Sequence, residues 1–220
     1  MRYDAIIFDF DGVLLESEYA GNAQIAEYLT ALGHPITPQE SMTHFMGLSG
    51  LDFLAAIEKW IGRALPDDFH EVREAENRRV LAEGIAAVAG AVAFIRSLPS
   101  NMPRAIASSS STYWIETHLE HLGIRDAFPL IFSGKEHVTR GKPAPDLYLH
   151  AAQAMGADIA RCVILEDSPV GVTGAVASGA HVIGLCAGSH CDLQHGERLR
   201  ALGVQEIAYG FDEVERLIFG

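Results

Sequence analysis

The chain has 220 residues, of which 49% are apolar and 20% charged, enough to bury a sizeable core and typical of a globular protein. Sixteen basic against twenty-nine acidic residues leave a formal charge of -13, which opposes long-range attraction of nucleic acid or an anionic membrane. A phosphorylated ligand must therefore be captured by local groups rather than by the field of the whole molecule.

No apolar stretch approaches the length of a signal-peptide core or a membrane span. The three cysteines, Cys162, Cys186 and Cys191, are too few and too odd in number for a disulfide framework. A cytoplasmic location, reduced thiols and a monomer without nucleic-acid or membrane partners are expected.

In chain order, residues 4 to 8 form a nearly continuous apolar run that stops at Asp9-Phe10-Asp11-Gly12, as a buried parallel strand does on meeting a turn. Ile25, Tyr28, Leu29 and Leu32 then mark one face of a helix that Gly33 ends. About ninety residues separate the first strand from the next strand-like run, Arg104 to Ala107, far more than one crossover helix requires. Helical signals over 17–32, 38–45, 50–62 and 68–83, broken at Gly33, at Gly47-Leu48-Ser49-Gly50 and at Leu65-Pro66, fill that gap. A helical insert over residues 16–86 follows, leaving 1–15 and 87–220 as a discontinuous core.

Beyond Arg104, Trp114, Ile115, Leu119 and Leu122 trace another helix face, ended by Gly123. Apolar runs recur at Leu130 to Phe132, Cys162 to Leu165 and His181 to Leu185, each separated by a helix-length segment. Such alternation predicts an α/β fold: a Rossmann-like parallel sheet core with an inserted α-helical domain. Cys186, His190, Cys191 and His195 crowd into ten residues after the last run, but their spacing does not match finger or ribbon patterns and reads as a polar loop.

In an open parallel sheet the ligand sits beyond the carboxyl ends of the strands. Those ends carry Asp9 and Asp11, then Ser108 to Ser111, then Glu166-Asp167-Ser168-Pro169, with Gly141-Lys142-Pro143 opening a helix between the last two. Asp9 and Asp11 are two apart on an extended chain and can face one pocket, although the turn at Gly12 can swing Asp11 away. Adjacent carboxylates repel unless a cation intervenes. With Glu166 and Asp167 added, the oxygen-rich set Asp9, Asp11, Glu166 and Asp167 calls for Mg²⁺.

A carboxylate beside such an ion can attack phosphorus in line, which suits Asp9. A second carboxyl on a turn can protonate the leaving group and later deprotonate water, which suits Asp11. Ser108, with Ser109 and the amides that follow, offers an anion cradle at a helix start, and Lys142 supplies the local positive charge. Each segment alone has a commonplace reading: an Asp-Gly turn, a serine helix cap, a solvated turn lysine, a cap before Pro169. Their order and combination override these.

The set Asp9-Phe10-Asp11-Gly12-Val13, Ser108, Gly141-Lys142-Pro143-Ala144-Pro145-Asp146 and Glu166-Asp167-Ser168-Pro169 with Gly171 resembles the haloacid dehalogenase superfamily over nearly the whole chain. The resemblance implies a Mg²⁺-dependent phosphoric monoester hydrolase working through an aspartyl phosphate, with Asp9 as nucleophile and Asp11 as acid and base. It also implies that Ser108 and Lys142 hold the phosphoryl group, that Glu166 and Asp167 hold the metal, and that the helical insert is a mobile cap.

Dehalogenating and phosphonate-cleaving members lack the second aspartate, so Asp11 sets those chemistries aside. A β-phosphoglucomutase-like transfer would need a cap histidine and a loop arginine, whereas Glu18 to Asn22 and Gly47 to Gly50 contain neither. A non-catalytic phosphometabolite-binding module is the other alternative, and the complete acid and lysine set weighs against it. Glu16 stands where the group often has aspartate, which bears on the hinge. The run from His150 to Met155 is similar to sugar-phosphate and sugar-acid phosphatases, and substrate contacts in the cap are expected at Glu18, Asn22, Gly47 and Leu48.

Overall fold

A computed structural model describes residues 2–46, 48 and 50–220. The chain divides into two compact units: residues up to Glu16 together with Ala86–Gly220, and Ser17–Ile85.

The first unit is a six-stranded sheet in the order β3-β2-β1-β4-β5-β6, and every neighbouring pair is parallel. Its strands are β1 (Ala5–Phe8), β2 (Arg104–Ser108), β3 (Leu130–Ser133), β4 (Cys162–Glu166), β5 (His181–Leu185) and β6 (Glu206–Ala208). β1, β2 and β4 are buried along their whole length, which is why their inner residues are consecutive apolar ones rather than alternating with polar ones. The three-residue edge strand β6 leaves no such run.

Parallel strands need crossovers, and helices supply them. Numbered along the chain, these are α5 (Ala91–Ser97), α6 (Thr112–His121), α7 (Asp146–Ala154), α8 (Pro169–Ser178), α9 (His195–Ala201) and α10 (Phe211–Phe219). On one face of the sheet Ile7, Ala105, Ile164 and Val182 pack with Leu147, Tyr148, Val172 and Leu199 of α7, α8 and α9. On the other, the Phe8 ring meets Phe94 at 6.4 Å and Phe128 at 5.5 Å between centroids. The strand order reverses between β1 and β4, which run side by side.

The second unit holds α1 (Ser17–Ala31), α2 (Pro38–Phe45), α3 (Gly50–Ile61) and α4 (Phe69–Glu83). Its own core is built from Ile25, Leu29, Ile36, Phe45, Ile57 and Phe69. Thr37 and Glu40 form a reciprocal capping box at the start of α2, a device worth about 1 kcal/mol. Gly33 ends the α1 region at φ 88, a left-handed conformation that favours glycine. No helix among the described residues is long and apolar enough to cross a membrane.

Candidate active site

The site forms where β1 and β4 end at the reversal of strand order, the position that an open parallel sheet reserves for ligands. The Asp9 amide donates to the Leu165 carbonyl at 2.9 Å, which extends the β1–β4 ladder one residue and fixes the Asp9 backbone. Asp9, Glu166 and Asp167 are 6%, 0% and 2% exposed, and they bring three carboxylate oxygens within 4.8 Å of one another.

Lys142 enters this cluster from the loop before α7. Its ammonium lies 2.8 Å from Asp9 Oδ1 and 2.6 Å from Glu166 Oε1, with the side chain 3% exposed. Glu166 also accepts from Tyr148 Oη at 2.8 Å, from the Ser168 amide at 2.9 Å and from Ser168 Oγ at 3.1 Å. The lone-pair positions of Glu166 are thus engaged by Lys142, Tyr148 and Ser168, and it acts foremost as the counter-ion of Lys142. A Cβ at Gly171 would meet Glu166 Oε1 at 1.6 Å, so only glycine lets α8 approach this carboxylate.

Burial and the neighbouring Glu166 charge push the Asp9 carboxyl well above the usual range, against the pull of Lys142. Burial would lower the Lys142 ammonium, but Asp9 and Glu166 outweigh it and hold it well above its ordinary value. For Glu166 the cost of burial is outweighed by Lys142, which keeps it ionised.

Asp11 lies apart from the trio. Its carboxylate accepts from Ser110 Oγ at 2.6 Å, from Trp114 Nε1 at 3.2 Å and from Ser108 Oγ at 3.4 Å. Gly12, at φ 78, is the turn that swings it towards the β2–α6 loop. Of the four acidic residues expected at the metal, the structure brings the carboxylates of Asp9, Glu166 and Asp167 together and sets that of Asp11 among Ser108, Ser110 and Trp114.

Within the serine run, Ser108 is buried at 1% exposure and its Oγ accepts the Ser110 amide at 3.0 Å. Ser109 is exposed. Ser111 caps α6 by accepting the Trp114 amide at 3.3 Å, so the commonplace reading of the run also holds for one of its members. Ser168 likewise caps α8 through the Gly171 amide at 3.0 Å, while Asp167 faces Asp9 and Glu166. Ser110, Trp114 and Tyr148 are site residues that the sequence reading does not single out.

The loop after β5, read from sequence as merely polar, packs against the trio. His190 Nε2 is 2.8 Å from Asp167 Oδ2, and His195 Nε2 lies 2.6 Å from the Asp167 carbonyl. Glu16 anchors this loop by accepting the Ser189 amide at 3.0 and 3.1 Å and Ser189 Oγ at 3.1 Å.

In the second unit, Glu18, Asn22 and Leu48 line a cavity of about 280 Å³ that Arg73 also borders. Asn22 is only 9% exposed; its amide donates to the Glu18 carbonyl at 2.9 Å and its carbonyl accepts from Ser41 at 3.0 Å. Arg73 donates to Gln24 Oε1 at 2.7 Å and is a cation that the sequence reading passes over. Gly47 lies outside the described residues.

Three buried carboxylates facing a single ammonium leave a surplus of negative charge with oxygen donors only, which fits a hard divalent cation. Asp9 and Asp167 carry the oxygens best disposed for it. A Cβ at Gly12 would fall 2.0 Å from Asp167 Oδ2 and 3.0 Å from the His190 ring, so only glycine fits against this carboxylate and the histidine beside it.

The family model for haloacid dehalogenase-like hydrolases matches residues 3–179. Hexitol phosphatase A of Escherichia coli K12 is 32% identical over 189 residues, covering 85% of each chain. The 6-phosphogluconate phosphatase of the same organism is 27% identical over 192 residues, covering 86% of this chain and 85% of its own. An HAD-family hydrolase from Deinococcus radiodurans R1, solved with bound phosphate and sodium, superposes with a TM-score of 0.88 at 31% identity, covering 99% and 95% of the two chains.

Proposed function

Because the chain belongs to the haloacid dehalogenase-like hydrolase family, we propose that it is a Mg²⁺-dependent phosphatase of small phosphorylated metabolites, sugar or sugar-acid phosphates above all. The observation that carries this reading is the Asp9–Lys142 contact at 2.8 Å. A carboxylate at the end of β1 with an ammonium beside it supports a nucleophile paired with a group that binds a phosphoryl oxygen. The names of two relatives, a hexitol phosphatase and a 6-phosphogluconate phosphatase, support the substrate class.

In this reading Asp9, Asp11, Glu166 and Asp167 would hold Mg²⁺, and the bound ion would supply charge neutralisation of the phosphoryl oxygens. An Asp9 carboxylate oxygen attacks phosphorus as the ester P–O bond breaks, and Asp11 gives a proton to the departing alkoxide. Asp11 then takes a proton from water, which attacks the aspartyl phosphate and releases inorganic phosphate and free Asp9. Ser108, Ser109 and Lys142 bind the phosphoryl oxygens throughout. Lys142 is kept cationic by Asp9 and Glu166.

Discrimination among esters is assigned to Glu18, Asn22, Gly47 and Leu48 of the inserted helical unit. The cavity bordered by the first two, Leu48 and Arg73 supports that assignment. The test is phosphate release from a panel of hexitol phosphates, aldose phosphates and phosphorylated sugar acids, with and without Mg²⁺. Mg²⁺-dependent turnover concentrated on these esters is expected, and absence of turnover from folded, Mg²⁺-supplied protein contradicts it.

A further inference from the structure

The loop after β5 gathers a second set of ligand-bearing side chains whose chemistry differs from that of the trio. Ligand atoms of His190, Cys191 and His195 all lie within 4.8 Å of one another. Cys191 Sγ and His190 Nε2 are 3.4 Å apart, and the neighbouring Cys191 thiol lowers the pKa of Cys186. Metal bonds of about 2.3 Å to sulfur and about 2.0 Å to nitrogen place two ligands of a tetrahedral zinc roughly 3.5 Å apart. The observed spacing is that of ligands sharing one ion.

The cluster is also held in place. His190 and His195 are 6% and 3% exposed. The His190 ring lies between Gly12 and Gly188, where an added Cβ would come within 3.0 and 2.6 Å of it. Glu16 pins the intervening Ser189 through its amide and hydroxyl. A solvated loop would need none of these restraints.

We propose that His190, Cys191 and His195, with the neighbouring Cys186 as fourth ligand, form a site for a thiophilic divalent cation such as Zn²⁺, beside the oxygen-lined trio. Donor type separates the two sites: sulfur and imidazole select a softer ion, carboxylates a harder one. Entry of the ion exchanges existing contacts for metal bonds. His190 Nε2 leaves Asp167 Oδ2, now 2.8 Å away, and His195 gives up either the Asp167 carbonyl or Arg198 Nη2, at 2.6 and 3.1 Å. Occupancy of the soft site therefore removes the His190 contact from Asp167 Oδ2.

The test titrates the full chain, chelator-stripped and kept reduced, with Co²⁺. A thiolate-to-cobalt charge-transfer absorption that saturates stoichiometrically, vanishes on addition of Zn²⁺ and persists in Asp9→Asn is expected. Cys186→Ser/Cys191→Ser should abolish it, and His190→Gln should weaken Co²⁺ binding at least tenfold. Absence of the thiolate band in the wild type, or an unchanged band in the double variant, overturns the proposal. Should the double variant fail to fold, thiol labelling of the wild type decides. Cys162 is fully buried, so protection of the other two thiols by Zn²⁺ but not Mg²⁺ supports the site, and equal labelling overturns it.

Discussion

Trp114 donates its indole N–H to Asp11 Oδ1 at 3.2 Å, across 103 residues of sequence. With Ser110 Oγ at 2.6 Å on the other oxygen, it fixes the carboxyl proposed to move protons in both half-reactions. A hydrogen bond to a charged group contributes about 1.5–3 kcal/mol. Trp114→Phe keeps the ring and loses the donor, so kcat should fall roughly tenfold or more with KM little changed. Steady-state kinetics check this; an unchanged kcat removes Trp114 from the site.

Among the described residues Lys142 is the one ammonium at the three buried carboxylates, and Lys142→Met leaves Asp9 and Glu166 without their counter-ion. Breaking a buried pair on one side costs about 3–5 kcal/mol. Denaturant unfolding at neutral pH should show a loss of that order. The loss should shrink as pH falls, because the Asp9 carboxyl, held high by burial and by Glu166, then takes up a proton. A loss independent of pH contradicts this.

Asp9 must be ionised to hold a cation, yet without one its carboxyl sits well above the usual range. Binding of Mg²⁺ should therefore release a proton. The half-saturating Mg²⁺ concentration for turnover should rise as the solution is made mildly acidic and fall towards alkaline pH. A flat dependence speaks against Asp9 as a ligand.

His118 of α6 is fully buried, 4.2 Å from the Trp114 ring between centroids. Neither of its nitrogens has a hydrogen-bond partner among the described residues. Burial holds its pKa below the ordinary 6.5, against a weaker upward pull from Asp11. The unfolded chain accepts the proton first, so stability is intact above the unfolded value and is lost as pH falls through it towards the folded one. His118→Phe should flatten this slope in denaturant midpoints measured across that window; an unaltered slope refutes the assignment.

How far the sequence disclosed this molecule depends on the kind of signal each residue carries. Ala5–Phe8, Arg104–Ser108 and Cys162–Glu166 were legible because strands buried on both faces are continuous apolar runs. Asp9, Ser108 and Glu166 were legible because strand ends point at the ligand. Trp114 and Tyr148 were not, since each occupies a helix position that periodicity assigns to core and reveals its polar atom only through a partner elsewhere in the chain. Asp11 was legible in part: a swing at the Gly12 turn could be read, but not its partners Ser110 and Trp114, which lie about a hundred residues away. His190 could not be placed because its neighbours Gly12 and Asp167 lie far away in sequence.

The central claim is that Asp9 becomes esterified by phosphate on the way to hydrolysis. It is tested most directly by mixing enzyme with a radiophosphorus-labelled ester that it turns over and quenching in acid within the first turnover. Near-stoichiometric label on the protein, released by hydroxylamine and absent from Asp9→Asn, is the expected result. Consumption of the ester by wild-type enzyme with no protein-bound label at any quench time would contradict the account.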